Sequence, residues 1–222
     1  MERDEKGRDT CRGRPKSEKH REVALELLSA AERTLSTKGY TEITSRELAD
    51  LAGTNQAMIR YYYDCKDGLF STVVENALRT KSRKFDEFER GIGDMGGCAM
   101  RAFVALLVEE YLVKAPLYRV LLAELANTDS LIKARYSGQA RRAFIQKCRI
   151  LDKFKAAGIL GAHADTRLAA FTLVCFINGP IALSTTLEDF QTSIAEICSE
   201  AWIDHVTGIM LLSYGPAAKG QN

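Results

Sequence analysis

Apolar residues along this chain recur at helical spacing and almost never alternate. Ala24, Leu28, Ala31 and Leu35 step by four, three and four, and Val23, Leu27 and Ala30 widen the stripe. Positions so spaced share one face of a helix of 3.6 residues per turn. The pattern predicts a first helix from about residue 19. Gly39 stops it, a residue suited to the left-handed position beyond a helix end. Tyr40 and Ile43 follow as apolar plugs. In TSRELADLAG, Thr44 and Glu47 make a T-x-x-E capping box, apolar Leu48, Ala49, Leu51 and Ala52 follow, and Gly53 ends a short second helix. Thr54 or Asn55 caps a third helix, reaching Tyr62. Asp64 caps a fourth, with Asp67 at its third position. That helix should run from Lys66 to about Arg90, where the glycine cluster GIGDMGG breaks it. Further helices are expected at about 98–113, 117–127, 130–157, 165–187 and 191–213. The fold class is all-α. Residues 1–18 read as a flexible basic arm, 19–66 as a three-helix unit and 67–222 as a second helical domain.

Three caps around two short helices spell helix, tight turn, helix, then a helix leading away. A helix-turn-helix presents its second helix to the major groove of DNA in this way. The third helix also carries three adjacent tyrosines, Tyr61, Tyr62 and Tyr63. On a helix each is turned ~100° from the last, so they cannot all point inward.

Composition narrows the picture mainly by exclusion. The chain has 222 residues, is 46% hydrophobic and carries a formal net charge of +2. That balance says little about partners. The longest apolar run, from Leu168 to Ser184, is shorter than the ~20 residues of a membrane span and is interrupted by Asn178, Gly179 and Pro180. The charged N-terminus has no apolar signal-peptide region, so a cytoplasmic protein with no membrane partner is expected. The six cysteines are scattered and read as free thiols. No metal-ligand spacing, nucleotide-binding glycine loop or nucleophile elbow occurs, so no metal, no cofactor and no catalytic residue is assigned and an enzyme is not expected.

The segment TSRELADLAGTNQAMIRYYYDCKDGLF closely resembles the TetR family of bacterial transcriptional regulators. The matches are Thr44, Leu48, Ala49, Ala52, Gly53, Ile59, Tyr62, Lys66 and Leu69, preceded by Ala30, Ala31, Leu35, Gly39 and Tyr40. The family's pattern is altered at Thr54, Asn55, Ala57, Arg60, Tyr63 and Cys65. Arg60 stands where an aromatic is usual. The resemblance covers about residues 20–70. It implies an N-terminal helix-turn-helix DNA-binding domain plus a C-terminal helical ligand-binding and dimerisation domain. It further implies a repressor that binds a palindromic operator as a homodimer and is released by a small-molecule effector. By chemistry, Gln56 suits adenine edges, Arg60 guanine edges or phosphate, and Ala57 and Met58 a thymine methyl. Thr44, Ser45, Tyr61 and Lys66 would position through phosphates, with Arg46 on base or backbone and Tyr62 near the same rim. Tyr63 would pack inward.

The reading head itself is not basic, since Arg46, Arg60 and Lys66 are balanced by Glu47, Asp50 and Asp64. The arm supplies positive charge. Its Arg12-Gly13-Arg14-Pro15 resembles the core of an AT-hook, and Arg12 and Arg14 are candidates for the minor groove. The basic stretch from Lys133 to Lys155 offers either a second nucleic-acid surface or, the favoured reading, the solvated face of a long helix, with Leu131, Tyr136, Phe144, Cys148, Leu151 and Phe154 as its inner face. Two C-terminal ridges are expected at a dimer interface. One is Ala169, Leu173, Phe176 and Pro180; the other is Ile194, Ile197, Ala201, Trp202, His205, Ile209 and Leu212. Phe103, Leu107, Tyr111, Tyr118, Leu122, Phe144 and Phe176 are candidates to line a cavity, with Glu109, Glu110 and Asn178 as polar groups orienting a ligand. The competing reading is a helical protein-interaction or RNA-binding module without ligand control.

Overall fold

The computed structural model describes residues 16–35, 37–112, 114–126, 131–183 and 199–217, and all regular structure among them is helical. α1 (Lys16–Leu35) is followed by a 3₁₀ turn (Tyr40–Glu42), α2 (Ser45–Leu51) and α3 (Gln56–Tyr63). α4 (Lys66–Met95) then leads through a second 3₁₀ turn (Gly96–Cys98) into α5 (Ala99–Leu112), α6 (Ala115–Ala126), α7 (Leu131–Ala156), α8 (Thr166–Ala182) and α9 (Glu200–Tyr214). The residues expected as an arm fall outside the described segments up to position 15, Arg12 and Arg14 among them. α1 itself starts at Lys16, slightly ahead of the expected boundary.

The first three helices pack around Leu27, Ala31, Leu35, Ile43, Leu48, Ala49 and Ile59, all buried. Two expected helix ends are placed differently. Gly39 adopts φ −65° and ψ 149°, so it is extended backbone; it caps the 3₁₀ turn, and Glu42 accepts a hydrogen bond from its N–H at 3.0 Å. α4 passes through Gly91 and Gly93 and ends at Met95, where Gly96 of the same glycine cluster adopts a φ of 51°, so the break falls five residues later than expected. Phe85, Phe88 and Ile92 are buried on one face of this stretch, and that burial offsets the weak helix preference of glycine. The capping box is half formed. Thr44 Oγ1 accepts from the Glu47 N–H at 3.2 Å, while the Glu47 carboxylate pairs with Lys38 at 2.6 Å. Cys65, not Asp64, caps α4, its sulfur accepting from the Gly68 N–H at 3.4 Å.

The second domain is built around α4, α5, α7 and α8. α4 lies along α7, and α7 along α8. Phe85, Phe88, Phe103 and Phe154 form one aromatic cluster, with Phe88 stacked on Phe103 at 5.4 Å between centroids. The most apolar window between Lys66 and Tyr111 is part of this core, where Phe103, Val104, Leu107 and Val108 are buried. α5 holds α9 through Arg101, which bonds Asp204 at 2.6 Å and also Glu200. α4 spans both domains. α6 also touches α1, a second point of contact between them.

Candidate DNA-reading face and effector pocket

α3 is amphipathic for a reason visible in its register. Ile59 is buried, and Met58, Tyr62 and Tyr63 are packed against the same core. Gln56, Ala57, Arg60 and Tyr61 occupy the opposite, exposed face. This side therefore offers an amide, a methyl, a guanidinium and a phenol in adjoining positions. Arg60 makes no ion pair among the described residues. Met58, expected to meet a thymine methyl, is instead partly buried against the core.

The three tyrosines separate as a fan. Tyr61 is 66% exposed. Tyr62 is half-buried and meets Tyr61 edge to face at 4.9 Å, with His20 of α1 edge-on to both rings. Tyr63 turns toward α1 and donates its hydroxyl to the Ala24 carbonyl at 2.6 Å. Burial is the first cause that raises its pKa. On α2, Arg46 is exposed and pairs only loosely with Asp50, at 3.9 Å, while Ser45 is half-buried. Thr44 is exposed at the start of the helix.

Lys66 has a different setting from the one expected. Its ammonium donates to the carbonyls of Tyr40 and Ile43 at 3.2 and 2.9 Å and lies 4.4 Å from the centre of the Tyr40 ring. The cation expected at a phosphate thus ties the start of α4 to the α1–α2 connection. Tyr40 completes the tie. Its hydroxyl bonds Asp67, and its ring meets Phe70 at 5.0 Å. Burial, then the Asp67 bond, pushes the Tyr40 pKa far above the ordinary phenol range. From sequence Tyr40 read only as an apolar plug and Asp67 only as a cap; no local motif pairs residues so far apart.

A pocket of about 660 Å³ lies between α4 and α7. Its walls include Leu78, Lys81 and Phe85 from α4, and Gln139, Arg142 and Ala143 from α7. None of the residues expected to line a cavity is among its lining residues. Phe103, Leu107, Tyr111 and Tyr118 are buried residues of α5 and α6. Leu122, Phe144 and Phe176 pack on that core, and Asn178 has a buried Oδ1 with no partner among the described residues. Glu110 bonds Lys84, which also reaches Glu109 at 3.5 Å.

The basic stretch of α7 is likewise more than a solvated face. Arg149 and Lys153 both bond Glu89 of α4, at 2.8 and 2.9 Å for their nearest Nε and Nζ contacts. Lys147 is only 3% exposed, and Lys81 of α4 only 4%. The two flank Phe85, each with its nitrogen 5.6 Å from the ring centre. Lys81 further donates to the Tyr118 hydroxyl at 3.2 Å and sits 3.0 Å from the centre of the Tyr111 ring. Neither lysine stood out in the sequence, although a signal existed. Lys81 falls on the apolar series Ala77, Phe85, Phe88 and Ile92, and Lys147 on the series Phe144, Leu151 and Phe154.

The expected ridges on the last helices need correction. Ala169, Leu173 and Pro180 are buried within the chain and Phe176 meets Trp202, so this ridge closes the monomer. Leu168, Phe171 and Cys175 lie on the exposed side of α8. On α9, Ala201, His205 and Leu212 are exposed, Leu212 at 90%, whereas Trp202 and Ile209 are half-buried. Ile194 and Ile197 lie outside the described residues.

Residues 27–73 match the family model described as bacterial regulatory proteins, tetR family. The chain is 23% identical over 212 residues to the HTH-type transcriptional regulator TtgR of Pseudomonas putida, covering 91% of this chain and 97% of that protein. Among solved structures, the fatty acid degradation regulator FadR of Bacillus halodurans superposes with a TM-score of 0.67 at 15% identity, over 85% of this chain and 94% of that one. FadR of Bacillus subtilis in complex with stearoyl-CoA gives 0.65 at 14% identity, over 84% and 96%. An exposed α3 face, a family model that matches over it and the same helical fold beyond it give this chain a TetR-family helix-turn-helix and the overall fold of TetR-family transcriptional regulators.

Proposed function

We propose that this regulator is a cytoplasmic repressor that binds a palindromic operator as a homodimer and is released when a small molecule enters the pocket between α4 and α7. The observation that carries the reading is α4 itself. Its first turn is tied by Lys66 and Asp67 to Tyr40 beside the reading head, and its middle walls the pocket. A ligand that shifts α4 thereby shifts α3. In this reading Gln56, Ala57 and Arg60 meet base edges, and Thr44, Ser45, Arg46 and Tyr61 meet phosphates. The apolar stripes Leu168–Phe171–Cys175 and Ala201–His205–Leu212 form the two-fold interface, which accounts for an otherwise unfavourable exposed patch. The B. subtilis relative was solved with stearoyl-CoA, so a small organic ligand has precedent on this fold.

The test is binding of the purified protein to the DNA upstream of its own gene, followed by fluorescence anisotropy. The expected result is a saturable complex of two chains per site that survives excess random DNA. Binding that random DNA removes in proportion would leave the protein-interaction or RNA-binding reading in its place.

A further inference from the structure

We propose that the effector is an anion with an apolar body, and that Lys81, a buried residue among those lining the α4–α7 pocket, receives its negative group. This rests on reading that pocket as the effector site. Lys81 and Lys147 are both buried, and neither bonds a carboxylate among the described residues. Lys81 is held by the Tyr118 hydroxyl and aromatic faces, and Lys147 by the Ala143 carbonyl at 3.1 Å. The acid that acts on Lys81, Glu110, is committed to Lys84. A buried ammonium without a counter-charge is costly, and burial together with the repulsion of Lys147 drives the Lys81 pKa well below the ordinary lysine range. A bound anion removes that cost.

The pocket's remaining groups point the same way. Its lining holds four cations (Arg79, Lys81, Arg142 and Arg149) against two carboxylates, Glu75 and Asp86. Arg149 is occupied by Glu89 and Asp86, whereas Arg142 at the rim has no ion-pair partner among the described residues. Gln139, also in the lining, has a buried Oε1 with no hydrogen-bond partner among the described residues. An orphaned acceptor in a pocket wall asks for a donor from a ligand. Leu78, Phe85 and Ala143 supply apolar wall between these polar points. The complementary molecule therefore carries a carboxylate, sulfonate or phosphate at one end, an aromatic or aliphatic body, and a hydrogen-bond donor.

Two fluorescent probes of similar shape test the charge. 8-Anilinonaphthalene-1-sulfonate is anionic, and N-phenyl-1-naphthylamine is its uncharged counterpart. The wild-type protein is expected to bind the sulfonate more tightly. Lys81→Met should weaken the sulfonate by roughly tenfold or more, as loss of a charge-assisted contact predicts, and leave the uncharged probe unchanged. The variant should melt no lower than the wild type, since a buried charge has been replaced by an apolar side chain of similar length. Ala143→Trp, which fills the pocket, should remove both signals. Equal loss of both probes in Lys81→Met, or no loss of either, overturns the proposal. Probes that survive Ala143→Trp bind elsewhere and overturn it too. If the wild type binds only the uncharged probe, the anion assignment falls while the pocket remains an effector site. If it binds neither, the pocket reading itself falls.

Discussion

Arg60 stands on the exposed side of α3 with no ion-pair partner among the described residues, so its guanidinium is available to whatever that face meets. Arg60→Ala should weaken operator binding by ~1–3 kcal/mol while scarcely changing affinity for random DNA, if the group reads a base edge. A phosphate contact would instead lower both affinities and flatten the salt dependence; anisotropy titrations at several salt concentrations separate the two, and unchanged binding would remove Arg60 from the interface. Lys147 makes the opposite case, a cation folded away from water. Burial holds its pKa at about 8, against 10.5 for an ordinary lysine. Between those values the unfolded chain carries a proton that the folded chain has released. Its contribution to stability therefore rises with pH from about 8 to about 10.5, and below about 8 the destabilisation is fully present. Lys147→Met should melt higher than the wild type at pH 7, and the gap should narrow by pH 10. A gap that stays constant across thermal melts at those pH values would show that folding leaves Lys147 an ordinary lysine. Sequence legibility is uneven at this scale. The outward face of α3 follows from helical register once Ile59 is placed inside. Lys66 does not follow, because only the fold reveals that two carbonyls lie within reach of its ammonium.

Between α3 and α4 the chain turns within three residues. The Cys65 N–H donates to the Tyr63 carbonyl at 2.8 Å around Asp64, whose φ of 65° and ψ of −43° describe a tight γ-turn in a region costly for any residue with a Cβ. This turn drives the Tyr63 carbonyl against the first turn of α4. A Cβ placed on Gly68 would lie 1.9 Å from that oxygen. Gly68→Ala must therefore open the α3–α4 junction, where backbone rather than a flexible side chain stands in the way. The expected cost is ~1–3 kcal/mol in thermal or urea unfolding, together with loss of specific DNA binding, since α3 is re-aimed. Unaltered stability and binding would mean that the junction tolerates the shift. Sequence patterning located α2 and α3 closely, because each is bracketed by a cap and a turn. It placed the end of α4 too early, at the first glycine of the cluster rather than at Gly96. Buried Phe85, Phe88 and Ile92 hold the helix through that stretch, an effect of packing that local preference does not contain. It also assigned the inward apolar series of α8 to the dimer. Apolar residues lie on both faces of that helix, and periodicity alone does not say which face the monomer uses.

For the molecule as a whole, the proposed homodimer would separate stability from assembly on those two faces. The inward residues of α8 complete the monomer core, while Leu168, Phe171 and Leu212 are exposed, and in the proposed dimer they face the second copy. Phe171→Glu or Leu212→Glu should yield a folded monomer by light scattering, with melting little changed at the level of the isolated chain and affinity for a two-half-site operator strongly reduced. A wild-type protein that is itself monomeric at micromolar concentration would remove the basis for the homodimer. In a dimer the distance between the two α3 helices is set by how each head sits on its second domain. Among the described residues, contacts that hold that pose include α4, which runs from the Tyr40 tie to the pocket, and α6, which touches α1. On the proposed switch, a ligand that fills the pocket pushes on α4 between Glu75 and Asp86, roughly two turns or more beyond Lys66. The half-sites on DNA cannot follow the resulting change in spacing. A pocket ligand must then prefer the DNA-incompetent pose by a coupling of ~1–3 kcal/mol, the usual range for allosteric proteins. Linkage makes this reciprocal, so saturating operator should weaken the binding of 8-anilinonaphthalene-1-sulfonate about 5- to 150-fold. Random DNA of the same length, which does not impose the half-site spacing, should have a smaller effect. Identical probe affinities with and without operator would show that pocket and reading head are energetically independent, whatever α4 connects.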